Sequence, residues 1–394
     1  MGRPLGMTEN EKRILTLLYK AGPLSKQELA NQGRMGWATV VKLTNRLLDA
    51  GVIECVGTSQ RTFQKGKNAY TYGLTNRKPL AIGIDVEYKA TTMILTNLSG
   101  DIIASKVHRT PENPDAGQFK RFLKRIIVSF LEHCVPDQSR LAGIGIGIPG
   151  IGMPSWVKEN NHTSQEDIAP YLEQSLGLEV TIEINTRAYT VFEKWENQTF
   201  SSDDFIYVSI RTGVGSGIFV NGNLLRGEQG LAGEIGHFKV VQDGLPCRCG
   251  GRGCLETVIN QYSLFRQYRQ RVLKESPSRS VPSAEVLKSG LSDLFSRARE
   301  GNREALDIVA EMSGYLGYCL SHAIMVLNLP QIIISGNFGN DGSILLDPLR
   351  RDIRRNAFSK IDFMLHYYPI DPRGHTRGAA LLILKDYFTG IPSH

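Results

Sequence analysis

Three cysteines fall within eight positions, in the run Cys247-Arg248-Cys249-Gly250-Gly251-Arg252-Gly253-Cys254, and His237 stands shortly upstream. A chain that crowds its thiols in this way must fold that stretch around something. The Cys-x-Cys-x4-Cys spacing, loosened by glycines, lets a short loop wrap one ion. Three thiolates and an imidazole make a closed four-ligand zinc set. His237, Cys247, Cys249 and Cys254 are therefore the candidate metal ligands, and a closed set predicts a structural ion. Disulfides and inert buried thiols are the alternatives. No apolar leader opens the chain, so a cytoplasmic, reducing setting is expected and stable disulfides are not. Glu234 and Glu256 bracket the loop, where a rigid knuckle would hold polar side chains against a small polar ligand.

At 394 residues the chain is too long for one compact domain, and two or three are expected. No stretch of about 18 apolar residues occurs, so nothing is expected to span a membrane. The net charge of +7 is unevenly placed. Residues 1–78 hold 13 Lys/Arg against 5 Asp/Glu, a net of +8, and residues 79–394 carry a net of −1. A basic module ahead of a neutral body points to a polyanion partner, most simply DNA. A solvated basic tail is the plain alternative, but this segment has an apolar periodicity that a tail lacks.

Thr8 and Glu11 form a capping-box pair ahead of Ile14, Leu15, Leu17 and Leu18, and Gly22-Pro23 stops that helix. Ser25 and Glu28 repeat the signal for a second helix. A third runs from about Trp37 to Ala50, ended by Gly51. Strand patterns follow at 52–56 and 69–74, with basic residues between them. This is the grammar of a winged helix-turn-helix over residues 1–78. Trp37, Ala38, Thr39 and Lys42 would face the major groove or its phosphates, with Arg46 one turn on. Arg61, Lys65 and Lys67 would track the backbone or enter the minor groove. A protein-docking three-helix domain is the other reading.

The body reads as α/β, with lobes at 79–190 and 191–394 and a C-terminal helix that can return to the first. Strand, turn, strand, turn, strand and helix occur twice, from Ile82-Gly83-Ile84-Asp85 and again from Phe205-Ile206-Tyr207-Val208. The run 212–217 reads as a glycine-rich turn that could face phosphates, though a plain hairpin is the commoner meaning. The doubling resembles the two-lobed, actin-like ATPase architecture of sugar kinases.

Gly147-Ile148-Pro149-Gly150, Thr212-Gly213-Val214-Gly215-Ser216-Gly217, Glu234-Ile235-Gly236-His237 and the cysteine run, behind a winged helix, together resemble the ROK family (repressors, open reading frames, kinases). The resemblance covers essentially the whole chain. It implies a hexose or pentose held between the lobes, with Asn185, Glu234, His237 and Glu256 bonding its hydroxyls. Glu234 could instead act at a helix start, and Glu256 could merely orient the cysteine loop. The family holds sugar kinases without the DNA-binding domain and regulators with it.

Two departures weigh against catalysis. Kinases of the family follow the asparagine with an aspartate base, where this chain has Thr186. They also read Gly-Gly-Thr after the strand-end aspartate, where Val86-Glu87-Tyr88-Lys89 follow Asp85. The nearest other acid is Glu183. The expectation is a sugar-responsive regulator, most simply a repressor, with no catalytic residues and no ATP. Its partners would be operator DNA, a small sugar effector and further copies of itself in a homodimer or homotetramer. An active kinase with a DNA-binding appendage is the rival. A regulator answering to a phosphosugar, read by Arg211 and Arg252, or to a protein partner is another. Asn160-Asn161-His162 would tune the choice of sugar.

Overall fold

The computed structural model describes residues 7–59, 69–87, 89–112, 114–150, 165–196, 202–276 and 282–388. They form two compact units. One gathers the described residues of Met1–Pro149, Pro154–Glu196 and Arg373–His394; the other gathers those of Gly150–Met153 and Asn197–Pro372.

The first unit opens with three helices. Thr8 starts α1 (Glu9–Ala21): its hydroxyl accepts from the Glu11 N–H, and the Glu11 carboxylate accepts from the Thr8 N–H at 2.8 Å. Ser25 and Glu28 repeat the box at α2 (Lys26–Gly33). Each box satisfies donors that a helix start leaves orphaned. In α3 (Trp37–Asp49), Val40, Leu43, Thr44 and Leu47 are buried. Strands β1 (Leu24–Ser25), β2 (Ile53–Ser59) and β3 (Ala69–Leu74) form a small antiparallel sheet in the order β1-β3-β2. The basic stretch with Arg61, Lys65 and Lys67 lies outside the described residues.

Next comes a meander, β4 (Leu80–Val86), β5 (Ala90–Asn97) and β6 (Ile102–Arg109). Helix α4 (Ala116–Cys134) leads to β7 (Leu141–Ile148), and α5 (Gln165–Leu176) leads to β8 (Val180–Ile184). The order is β6-β5-β4-β7-β8, antiparallel through β4 and parallel beyond it. β4 and β7 are buried along their length, as continuous apolar runs demand. Helix α6 (Asn185–Glu196) follows β8 directly, so it runs unbroken past the lobe boundary expected near 190.

The second unit repeats this winding. β9 (Phe205–Ile210), β10 (Val214–Val220) and β11 (Asn223–Leu224) form the antiparallel part. Helices α7 (Leu255–Ile259), α8 (Gln261–Gln267), α9 (Ala284–Arg299) and α10 (Arg303–Leu327) precede β12 (Gln331–Gly336). Helix α11 (Leu346–Asn356) leads to β13 (Met364–Pro369), and the order is β11-β10-β9-β12-β13. The expected long turn at 212–217 is shorter: Gly215 and Gly217 lie within β10, opposite Ser209 and Tyr207. They serve the strand, and Gly213 alone of the three closes the hairpin.

The last helix, α12 (Gly374–Leu384), belongs to the first unit. A Cβ on Gly83 would lie 2.0 Å from the Thr376 carbonyl, and one on Gly145 would lie 1.7 Å from that of Ala379. The glycines that punctuate β4 and β7 thus admit a helix backbone against the sheet.

Candidate functional site

The segment before the cysteines folds as a tight turn at Ile235–His237, pressed onto β10. A Cβ on Gly236 would lie 1.9 Å from the Val214 carbonyl, which explains the glycine between Glu234 and His237. The cysteine loop closes on itself. The Cys247 N–H donates to the Gly251 carbonyl at 2.9 Å, and the Gly253 N–H donates to that of Leu245 at 2.9 Å. Gly253 sits at φ 70, where a Cβ would lie 1.7 Å from the Val241 carbonyl.

These turns bring His237, Cys247, Cys249 and Cys254 together, with all four ligand atoms within 4.8 Å of one another. Cys247 Sγ is 3.4 Å from His237 Nδ1, and Cys249 Sγ is 3.6 Å from Cys254 Sγ. Tetrahedral bonds of about 2.3 Å to sulfur and about 2.0 Å to nitrogen set edges of roughly 3.8 Å between sulfurs and roughly 3.5 Å from sulfur to nitrogen. The set fits one four-coordinate ion. All six cysteines are free thiols. Burial pushes the Cys247 thiol up, and the Glu256 carboxylate pushes it the same way. A cation binding there must release protons.

Two carboxylates flank the cluster. With Nδ1 turned to the sulfurs, His237 points Nε2 at Glu234, 3.8 Å from its Oε2. Glu256, in the first turn of α7, is buried, and its Oε1 lies 3.2 Å from Cys247 Sγ. A Cβ on Gly213 would come within 2.9 Å of Glu256 Oε2. The β9–β10 turn therefore lies against this carboxylate. The sequence reading had offered the whole glycine run as a hairpin or a phosphate-facing turn and did not foresee this contact of Gly213.

In the first unit, Asp85, Gly147 and Asn185 meet where β4, β7 and β8 end. Asp85 stands opposite Gly147 in register, and a Cβ on Gly147 would lie 3.3 Å from Asn185 Cα. Carboxyl ends of parallel strands are where ligands collect in such sheets. Thr186 is the next residue of α6. Glu183 is committed elsewhere. Its carboxylate accepts from Arg187 Nε at 2.7 Å and from the Ile184 N–H at 2.9 Å, with both partners of the ion pair buried. The sequence reading passed over Arg187, although its position four residues after Glu183 at a helix start was the available signal.

On α3, Trp37, Ala38, Thr39 and Lys42 are exposed. Arg46 differs from them: its Nε lies 3.3 Å from the buried carboxylate of Glu11. A buried carboxylate needs a countercharge, so Arg46 braces α3 against α1. Arg61, Lys65, Lys67 and Asn160-Asn161-His162 lie outside the described residues.

The model of the ROK family matches residues 81–385. The xylose repressor of Bacillus spizizenii is 24% identical over 359 residues, spanning 89% of this chain and 88% of the repressor. A solved ROK family transcriptional regulator, described as a homolog of the Escherichia coli MLC protein, is 25% identical, with a TM-score of 0.72 over 97% of each chain. A ROK family glucokinase from Streptomyces griseus, solved with glucose and AMPPNP, is 25% identical, with a TM-score of 0.58 over 77% of this chain and 98% of the kinase.

Proposed function

This chain belongs to the ROK family, and from that premise we propose that it is a sugar-responsive, DNA-binding transcriptional regulator, acting as a repressor. The observation that carries the reading is the module ahead of the family body. The family match begins at residue 81, and a basic three-helix segment precedes it. The close likeness to a ROK regulator over nearly the whole chain supports the same reading.

In this proposal α1 to α3 and the small sheet act as a winged helix-turn-helix. Trp37, Ala38 and Thr39 meet base edges, and Lys42 meets phosphate. Arg61, Lys65 and Lys67 follow the backbone. Arg46 holds the reading helix in place and contacts DNA only with the part of its side chain that Glu11 leaves free. Two modules on a two-fold operator call for a homodimer or homotetramer.

The body would sense a sugar without phosphorylating it. Asn185 in the first unit, and Glu234, His237 and Glu256 in the second, are assigned hydrogen bonds to sugar hydroxyls. His237, Cys247, Cys249 and Cys254 would hold zinc, whose contribution is a fixed scaffold for the loop. With Nδ1 on the ion, the His237 ring is locked and its Nε2 is left for the ligand. A threonine hydroxyl cannot take a proton near neutral pH, so Thr186 is no general base. Glu183 is a poor substitute, because its carboxylate is already engaged by the buried Arg187.

Regulation requires that the sugar favour one of two states, since equal affinity shifts nothing. Fluorescence anisotropy tests the reading, using zinc-loaded protein on DNA from upstream of its own gene, with and without D-xylose and D-glucose. Saturable binding that a sugar weakens is the expected result. Binding no tighter than the salt-sensitive nonspecific level, together with ATP turnover on a hexose, would overturn it in favour of a kinase. Lys42→Ala should weaken all duplexes alike and reduce the salt slope by about 0.9.

A further inference from the structure

Helix α6 has Asn185 as its first residue and Trp195 and Glu196 near its last turn. Tyr19 of the N-terminal module is seated on that far end. Its ring centroid lies 5.0 Å from that of Trp195 and 5.4 Å from that of Phe388, and the Lys20 ammonium lies 5.6 Å over the Trp195 ring. The Tyr19 hydroxyl donates to Glu196 Oε1, and Arg377 donates to the same oxygen at 2.6 Å. Trp195 and Phe388 are buried. Two donors on one carboxylate oxygen in such a place fix it directionally.

Between its ends α6 is held stiffly. A Cβ on Gly378 would lie 2.2 Å from the Ala188 carbonyl, and one on Gly374 would lie 2.4 Å from the Tyr189 ring. Those glycines bring α12 against α6, and α12 itself is pressed into the sheet at Gly83 and Gly145. Packing at this distance leaves little room for α6 to bend. Trp195 and Glu196 at the end of α6 and Phe388 beyond the end of α12 meet Tyr19, and Arg377 in the first turn of α12 reaches the same Glu196 oxygen. From there α1 leads back to Glu11, which holds Arg46 of α3.

We propose that α6 is a rigid lever that reports what happens at Asn185 to the N-terminal module, with Tyr19 as the contact that is seated or released. The lever spans roughly 18 Å at the usual helical rise. It builds on the regulator reading, and it assigns that reading a path. A ligand that shifts the Asn185 end favours one seating of Tyr19, and the module follows.

The test uses full-length wild type, Tyr19→Ala, Tyr19→Phe and Glu196→Gln. Calorimetry with D-xylose and D-glucose measures sugar affinity. Anisotropy on DNA from upstream of the gene measures how far sugar changes DNA affinity. The lever predicts sugar affinity within about twofold of wild type in every variant. The sugar-induced change, about 5–150-fold for coupled sites, should fall below about twofold in Y19A and partway in Y19F and E196Q. Variants that keep the full change overturn the lever. A second arm needs no ligand: amide exchange across α1 in N185A, in Y19A and in the double variant. The lever predicts that N185A alters exchange severalfold only while Tyr19 is present, and independent, additive effects overturn it. If neither sugar binds the wild type, the sugar reading fails by itself, and the exchange arm still decides the lever.

Discussion

The two five-stranded sheets share one winding and part company at a turn. After β4 the chain runs through Val86-Glu87-Tyr88-Lys89 with no glycine, and the Glu87 N–H closes back on the Ala90 carbonyl at 2.9 Å. After β9 it turns through Arg211-Thr212-Gly213, and the Arg211 N–H donates to the Gly213 carbonyl at 2.8 Å. A Cβ on Gly213 would come within 2.9 Å of the Glu256 carboxylate, which would have to shift. Strand order is set by burial and pairing, which both halves satisfy alike. A turn answers only to what lies against it. The second turn lies against Glu256 of the knuckle, and the first is closed by its own backbone and joined at Lys89 by the Thr110 N–H at 3.2 Å.

If His237, Cys247, Cys249 and Cys254 hold zinc as proposed, removing it should break the comparison hardest. Structural zinc contributes about 10–16 kcal/mol of binding free energy in small domains. Chelation, or Cys254→Ser, should unfold the knuckle and abolish sugar binding. Amide exchange in β4 and β7 of the first unit should stay near its untreated value. Equal loss of protection in both sheets would show that the metal supports more than its own unit.

Glu183→Gln comes next and strikes the first unit. It removes the charge from one side of the buried Glu183–Arg187 pair, and breaking such a pair costs about 3–5 kcal/mol. A urea midpoint lowered accordingly, with zinc content unchanged, is the expected readout. A drop below about 1 kcal/mol would mean that water reaches the pair.

Gly213→Ala sharpens the contrast at the turns themselves. The new methyl would press on Glu256, and sugar affinity should fall about tenfold, equivalent to about 1.4 kcal/mol. Glu87→Gly, its counterpart in the first unit, should leave sugar affinity alone. Similar effects from the two would mean that the two turns are equally distant from the sugar site.

The smallest effect is expected from Thr186→Asp. A restored base is worth about 10²–10⁴-fold, but the β4–β5 turn would still carry Glu87 where glycines admit phosphate in kinases. ATP-dependent phosphorylation of D-glucose should remain at background. Clear turnover would show the first turn to be no obstacle.

Much of this was legible in the sequence because it is local. The capping boxes at Thr8–Glu11 and Ser25–Glu28 are spelled out within four residues, and the cysteine spacing announces its own geometry. The doubled winding showed in two apolar runs punctuated by glycine. What could not be read depends on distant neighbours. Gly213, Gly215 and Gly217 look equivalent in a string, and only the pairing with β9 separates the turn residue from the strand residues. The ion pair of Arg46 with Glu11 could not be read, because Glu11 sits on another helix. Tyr19 carried no signal at all, since Trp195, Glu196 and Phe388 lie far along the chain. Arg187 was legible in principle, four residues after Glu183 at a helix start.

The return of α12 to the first sheet has a consequence for synthesis on the ribosome. The three N-terminal helices and strands β4 to β8 are made early, yet the helix that covers Gly83 and Gly145 is among the last segments translated. At about 5–20 residues per second, the first unit waits roughly 10–35 s for that cover while the whole second unit is made. During this interval a strongly apolar sheet lacks one of its faces, and a nascent chain is most exposed to chaperones and proteases. A stop codon between residues 197 and 374 would make that state permanent, leaving the N-terminal module attached to a sheet that lacks α12.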